Sequence, residues 1–317
     1  MGFKKILKNL TIASVSIGAL ISSIKIANKL TFRTAKKNDE IYQKENYYNW
    51  DHGNIHYIKK GTGAPLLLLH SLTIGSSHRE FFKNIDELSK KYTVYALDLP
   101  GYAYSDKPKI TYTAFIYASF INKFITDVVG EPCSAIAANG SGMFLVIAAK
   151  LFPENIRKLL LISPSGINTP MAEDKDIFKR TLKETPLIGE SIYTLNSSKQ
   201  RIKKFLSKDG FFAPDIIDDE IINNFHYPAL GTNEDARYPY ASFVTNYMNM
   251  DIVSYYSHIT LPVYVIWGEY NEINPLKNMN FLKTLKPENQ YFVFKEAKLF
   301  PHIENSKEFN KLVITNI

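Results

Sequence analysis

From residue 47 onward, short apolar runs bounded by Gly, Pro, Asn and Asp alternate with segments of helical periodicity, and this alternation constrains the fold more than any other feature. A helix between successive short strands is the connection that parallel pairing needs, so the pattern points to a mostly parallel sheet. The candidate strands cover residues 47–51, 55–59, 66–70, 93–97, 134–138, 158–163, 263–267 and 291–294. The first two, joined through His52, Gly53 and Asn54, read as a hairpin. Between residues 112 and 129, Phe120, Phe124 and Val128 recur at helical spacing beside Ile121 and Ile125, which predicts a crossover helix. From 167 to 256 the texture changes to polar helical segments broken by Pro186, Gly189, Gly210, Pro214, Pro228, Gly231 and Pro239. Strand pattern resumes only at Leu261. The expected organisation is a core made of residues 47–166 and 257–317, with residues 167–256 inserted as a helical cap.

The start of the chain is different in kind. Lys4, Lys5 and Lys8 precede an apolar stretch from Leu10 to Ile24, interrupted by serines, and Lys25 closes it. At the usual helical rise such a stretch covers roughly 22 Å, short of a hydrocarbon core of roughly 30 Å. Snorkelling of Lys25 would let the helix continue to Leu30 and Phe32. Residues 1–31 are therefore expected to form a hydrophobic helix that serves as a membrane anchor, with a secretory signal or a soluble amphipathic helix as alternatives, and 32–46 to form a linker. Lys25, Lys29, Arg33, Lys36 and Lys37 follow the stretch, so cations flank both sides and the orientation stays open.

Lys and Arg outnumber Asp and Glu by 38 to 31, but several of the excess cations lie before residue 40 and no basic stripe interleaved with aromatics runs through the body. Nucleic-acid binding is not implied. With Cys133 as the single cysteine, an intrachain disulfide and a thiolate metal cluster are both excluded. His52, His56, His78, His226 and His258 show no metal-ligand spacing, and no Gly-rich phosphate loop occurs, so neither metal nor cofactor is implied.

Four marks fall in order along residues 47–310: Leu67-Leu68-Leu69-His70 ending a strand; Asp98-Leu99-Pro100-Gly101 followed by Ser105-Asp106-Lys107-Pro108; Pro262 leading to Trp267-Gly268-Glu269; and Phe300-Pro301-His302-Ile303-Glu304. Together they resemble the α/β-hydrolase superfamily, and within it the capped esterase, epoxide-hydrolase and haloalkane-dehalogenase branch. The resemblance implies an α/β fold with a mostly parallel eight-stranded sheet flanked by helices, a helical cap insertion and, in this chain, an added N-terminal hydrophobic helix.

The resemblance also implies where a catalytic triad would stand. The family's nucleophile occupies a G-x-S-x-G turn between a strand and a helix. Counting back from Pro153 puts that position at Asn139, with Ala137, Ser141 and Gly142 at the family's glycine positions. Asn tolerates the left-handed backbone such a turn requires, yet its amide cannot attack. The family's acid maps onto Asn271 in Gly268-Glu269-Tyr270-Asn271, and an amide cannot balance an imidazolium. The family's histidine maps onto Leu299, an aliphatic side chain that transfers no proton. Near the oxyanion hole the family's His-Gly corresponds to His70-Ser71, and backbone NH groups of Leu72 and Gly140 would face the cleft.

The function expected from these residues is that of a degenerate, membrane-tethered hydrolase-like protein, a pseudoenzyme that retains a cleft for a small apolar or ester-like ligand. Aromatics of the cap, including Phe205, Phe211, Phe212, Tyr238, Tyr240, Phe243 and Tyr247, either line that cleft or pack the cap on the core. The alternative is an active esterase that uses relocated groups: Ser141 as nucleophile, His302 as base, and Glu272 or Glu304 to orient it. A purely structural partner module is the third reading. His70 is expected to be hydrogen-bonded under the cleft floor.

Overall fold

The computed structural model describes residues 2–39, 46–167, 175–231 and 233–317, with backbone only at 2–18 and 234. The strands are β1 (Asn46–Trp50), β2 (Gly53–Lys60), β3 (Ala64–Leu69), β4 (Tyr92–Leu97), β5 (Cys133–Ala138), β6 (Ile156–Ile162), β7 (Val263–Gly268) and β8 (Gln290–Phe294). They form an eight-stranded sheet in the order β1-β2-β4-β3-β5-β6-β7-β8. β1 pairs antiparallel with β2 and β2 antiparallel with β4, and every later pairing is parallel.

Alternation along the central strands divides the core into two layers. Leu67, Leu69, Ala135, Ala137, Leu159 and Leu161 face one layer, whereas Leu66, Leu68, Ile136, Ala138, Leu160 and Ile162 face the other. The helices before the cap are α1 (Gly2–Asn38), α2 (Ile85–Leu88), α3 (Ala114–Phe124) and α4 (Ser141–Leu151). Those from the cap onward are α5 (Ile177–Glu184), α6 (Ile188–Asn196), α7 (Lys199–Phe205), α8 (Asp219–Leu230), α9 (Arg237–Val244), α10 (Val253–Ser257), α11 (Lys277–Leu285), α12 (Pro301–Glu304) and α13 (Ser306–Asn316). Phe120, Phe124, Phe144 and Leu282 bring α3, α4 and α11 onto the first layer, and Leu88, Phe309 and Val313 bring α2 and α13 onto the second. The predicted crossover helix is α3 extended by a π-helical turn, Ile125–Val129, which stops at Gly130 with φ +78°, a left-handed end that glycine reaches without strain.

Helices α5 to α9 lie within the segment read as the cap. The chain rejoins the core before residue 257: Met248, Ile252 and Tyr256 pack with the first layer, and the Ile252 amide donates to the Gly166 carbonyl at 2.9 Å.

The N-terminal segment departs from expectation. Helix α1 runs through Asn38, well into the stretch read as a linker, and residues 40–45 of that stretch lie outside the described residues. Among the described residues, no helix is long and apolar enough to cross a membrane, which corrects the expectation of a spanning anchor. Serines, Thr11 and Lys25 dilute the apolar run too heavily. The C-terminal part of α1 is docked on the cap instead. Phe32 and Ala35 are buried with Tyr193, Ala229, Leu230 and Ala236, and Asn28 Nδ2 donates to Ser191 Oγ at 3.1 Å. Just beyond the helix, the buried Asp39 carboxylate accepts from Arg79 Nη2 at 2.6 Å and from the Tyr104 hydroxyl, both on the core.

Candidate functional site

The carboxyl ends of β5, β7 and β8 meet at one place, the crevice where open α/β sheets place ligands. β5 turns into α4 through Asn139 and Gly140, and Asn139 adopts φ +51°. The Asn139 amide N–H donates to the Ile162 carbonyl at 2.8 Å, and its carbonyl accepts from Gly142 at 3.0 Å and Ser165 at 3.2 Å. Glycine at 142 is required by close approach, since a Cβ there would lie 2.8 Å from Pro164 Cβ. Asn139→Gly is expected to leave folding stability within about 1 kcal/mol of the parent, whereas Asn139→Val costs about 2 kcal/mol, because a β-branched residue is an outlier at positive φ. Denaturant midpoints of the two variants check this; equal midpoints would contradict it.

The Asn139 side chain is buried. Its Nδ2 donates to the Leu299 carbonyl at 3.3 Å, and its Oδ1 has no hydrogen-bond partner among the described residues. Leu299 is itself buried among Ile202, Leu206, Phe211 and Phe300, a cluster that joins the β8 side of the core to the cap. Asn271 is buried as well. Its Oδ1 accepts from the Asn274 amide N–H at 3.0 Å, closing the turn after β7, and Asn274 Nδ2 donates to the Ser163 and Pro164 carbonyls at 3.0 and 2.8 Å. The turns after β7 and β8 are tied by Tyr270 N–H to the Ala297 carbonyl at 2.9 Å. Asn139 and Leu299 are thus in direct contact, Asn271 closes a turn on the neighbouring strand end, and the side chains at the three positions are two amides and an isobutyl group.

The relocated groups are not brought together. Ser141 Oγ donates to the Ala138 carbonyl at 2.9 Å and lies 3.2 Å from the Leu69 carbonyl, backbone groups at the ends of β5 and β3. His302 packs its ring on Phe81 and Phe309, with Nε2 3.4 Å from Glu80 Oε1. Burial alone would raise the Glu80 carboxyl, but His302, His70 and hydrogen bonds from Ser71 outweigh it and hold the group below its ordinary value. Glu272 is exposed beside Lys298 at 3.5 Å, and Glu304 accepts the Lys298 amide N–H at 2.8 Å. Among the described residues, no hydrogen bond or ion pair links Ser141 to His302, or His302 to Glu272 or Glu304.

His70 is committed to the backbone. Its Nε2 accepts from the Leu99 amide at 3.0 Å, so Nδ1 carries the proton and donates to the Ser71 carbonyl at 2.6 Å. Burial lowers its pKa. The Ser71 amide and hydroxyl both donate to Glu80. Leu72 lies over the turn: a Cβ on Gly140 would come within 2.5 Å of Leu72 Cδ1. The side chain therefore fills the space above Gly140, the residue that precedes α4.

Two groupings escape a linear reading. His56, His78 and Asp98 come within 4.8 Å of one another, although nothing in their spacing marks them as a set. Asp98 Oδ2 lies 2.7 Å from His56 Nδ1 and Oδ1 lies 3.0 Å from His78 Nδ1, so the carboxylate bonds both imidazoles directly. The clue was Asp98 itself, a carboxylate at the buried end of a strand, where a partner is obligatory. The second grouping is a row of cations on α7 and the turn after it: Arg201, Lys204 and Lys208 line a cleft of about 420 Å³. Their spacing of three and four residues was the available signal.

Residues 64–180 match the family model described as the alpha/beta hydrolase fold. A serine hydrolase involved in carbazole degradation has the same architecture, with a TM-score of 0.71 and 19% identity over 86% of this chain and 97% of its own. The chain belongs to the α/β-hydrolase superfamily. Other members it is similar to include the pimeloyl-[acyl-carrier protein] methyl ester esterase of Aliivibrio salmonicida, 22% identical over 81% of this chain and 93% of the esterase. A second solved structure, a membrane phospholipase A, superimposes with a TM-score of 0.69 at 16% identity over 98% of this chain and 97% of its own. At these identities, likeness to the solved α/β-hydrolases speaks to the fold alone.

Proposed function

We propose that this α/β-hydrolase-fold protein does not hydrolyse, and that it uses the cleft under its cap to bind a small apolar or ester-like ligand. The observation that carries the reading is the hydrogen bond from Asn139 Nδ2 to the backbone of Leu299. It joins the residue in the nucleophile's turn to the residue in the base's place, and neither can perform that chemistry. Removing a whole triad from a comparable serine hydrolase costs on the order of 10⁶ in rate, roughly 8 kcal/mol of transition-state stabilisation. Ser141 does not compensate, because its hydroxyl bonds backbone carbonyls and no imidazole is hydrogen-bonded to it among the described residues.

The competing reading, an active esterase acting through Ser141 and His302, draws on the ester-hydrolase names of several relatives. A fluorophosphonate reagent separates the two. Folded protein is expected to show no covalent labelling, and its hydrolysis of p-nitrophenyl butyrate is expected to match that of Ser141→Ala. Labelling that disappears in Ser141→Ala would overturn the proposal.

A further inference from the structure

The cleft beside α7 carries both an apolar and a charged lining. Ile74, Phe205, Tyr240 and Phe243 supply the apolar part, and Arg201, Lys204 and Lys208 stand along one side. A volume of about 420 Å³ falls within the size range of small-molecule sites. Thr73, Ile74, Tyr240 and Phe243 also line a neighbouring narrow space of about 20 Å³, room for about one water molecule, whose walls include Leu72 and Tyr102.

The cations arise from one local pattern. Residues 201, 204 and 208 follow one another by three and four, which places them on one stripe of α7 and its continuation, while Ile202 and Leu206 on the opposite stripe are buried against Phe300. None of the three has a carboxylate within 4.0 Å among the described residues, although ion pairs are common elsewhere on the surface. The one acid in the lining is Asp209, so the cleft retains an excess of positive charge.

We propose that this cleft takes an amphipathic anion: a carboxylate or phosphate head at Arg201, Lys204 and Lys208, with an apolar tail against Ile74, Phe205, Tyr240 and Phe243. The inference rests on the non-hydrolytic binding reading above and adds the class of ligand. Arg and Lys donate charge-assisted hydrogen bonds to such a head, and the aromatic walls exclude water from the tail.

Titration calorimetry of the full chain with decanoate, decyl phosphate and decanol tests the assignment. At least one of the anions is expected to bind about tenfold or more tightly than decanol, a difference that shrinks at high salt. Decanoate as the tighter ligand indicates a fatty-acid head, and decyl phosphate a phosphate monoester. The triple variant Arg201→Gln, Lys204→Gln, Lys208→Gln changes only exposed side chains; it is expected to erase the preference and leave decanol binding unchanged. Equal binding of decanol and both anions, no binding of any of them, or a preference that survives the triple variant would overturn the inference. Turnover of methyl decanoate would instead overturn the non-hydrolytic reading, and it leaves the charge test standing.

Discussion

Asp98→Asn is expected to lower folding stability by about 3–5 kcal/mol, the range found when one partner of a buried ionic network is removed. Asp98 sits fully buried just past the end of β4 and takes four hydrogen bonds: His56 Nδ1 at 2.7 Å, His78 Nδ1 at 3.0 Å, the His78 amide at 2.7 Å and the Tyr104 amide at 3.3 Å. An asparagine offers one acceptor oxygen and places an NH₂ group where the second oxygen now receives a proton. The pH dependence has a definite sign. Burial would raise the Asp98 carboxyl, but His78 and His56 more than offset it and hold the group well below its ordinary value. A carboxylate whose folded value is depressed adds stability above its unfolded value of about 3.9, and that stability is lost as pH falls through the lower folded value. Thermal unfolding from pH 7 down to pH 3 should show a steep acid loss in the parent and a shallower one in Asp98→Asn. A variant that melts with the parent, or shares its acid slope, would exclude this role.

Leu299→Ala is the second large effect, at about 2–5 kcal/mol, as expected for deleting a buried leucine side chain that its neighbours cannot collapse upon. The leucine touches a cluster contributed by both the cap, through Ile202, Leu206, Phe211 and Phe225, and the core, through Phe300 and Ile303. Leu299→His is expected to lose a comparable amount, because an imidazole there buries a polar group among aromatics. Urea unfolding midpoints measure both. A histidine variant as stable as the parent would show that the position accommodates a base, and would weaken the case against catalysis in this cleft.

Much of the core was readable because it depends on local pattern. The run Leu66 to Leu69 lies in a central strand buried on both faces, and its period of two sorts alternate residues onto the two layers. Asn139 could be placed by counting along a single helix from Pro153, since the turn, the helix and the proline are contiguous. What escaped depends on contacts between residues far apart. The docking of Phe32 and Ala35 on the cap, the burial of Asp39 against Arg79, and the grouping of His56 and His78 on Asp98 leave no trace in periodicity. Apolar content alone overstated the first helix, because an amphipathic helix packed on protein and a short membrane segment share the same composition.

The position of that helix bears on how the cleft exchanges its contents. Asn28 and Phe32 hold it to α6 and α8, and a few residues later Asp39 is held by Arg79 and Tyr104 of the core. A cap that swung away as a hinged lid would have to tear out a buried ion pair as well as an apolar seam. Exchange of the ligand proposed above would then depend on side-chain movement of Tyr240, Phe243 and the α7 cations at the mouth of the cleft rather than on domain motion.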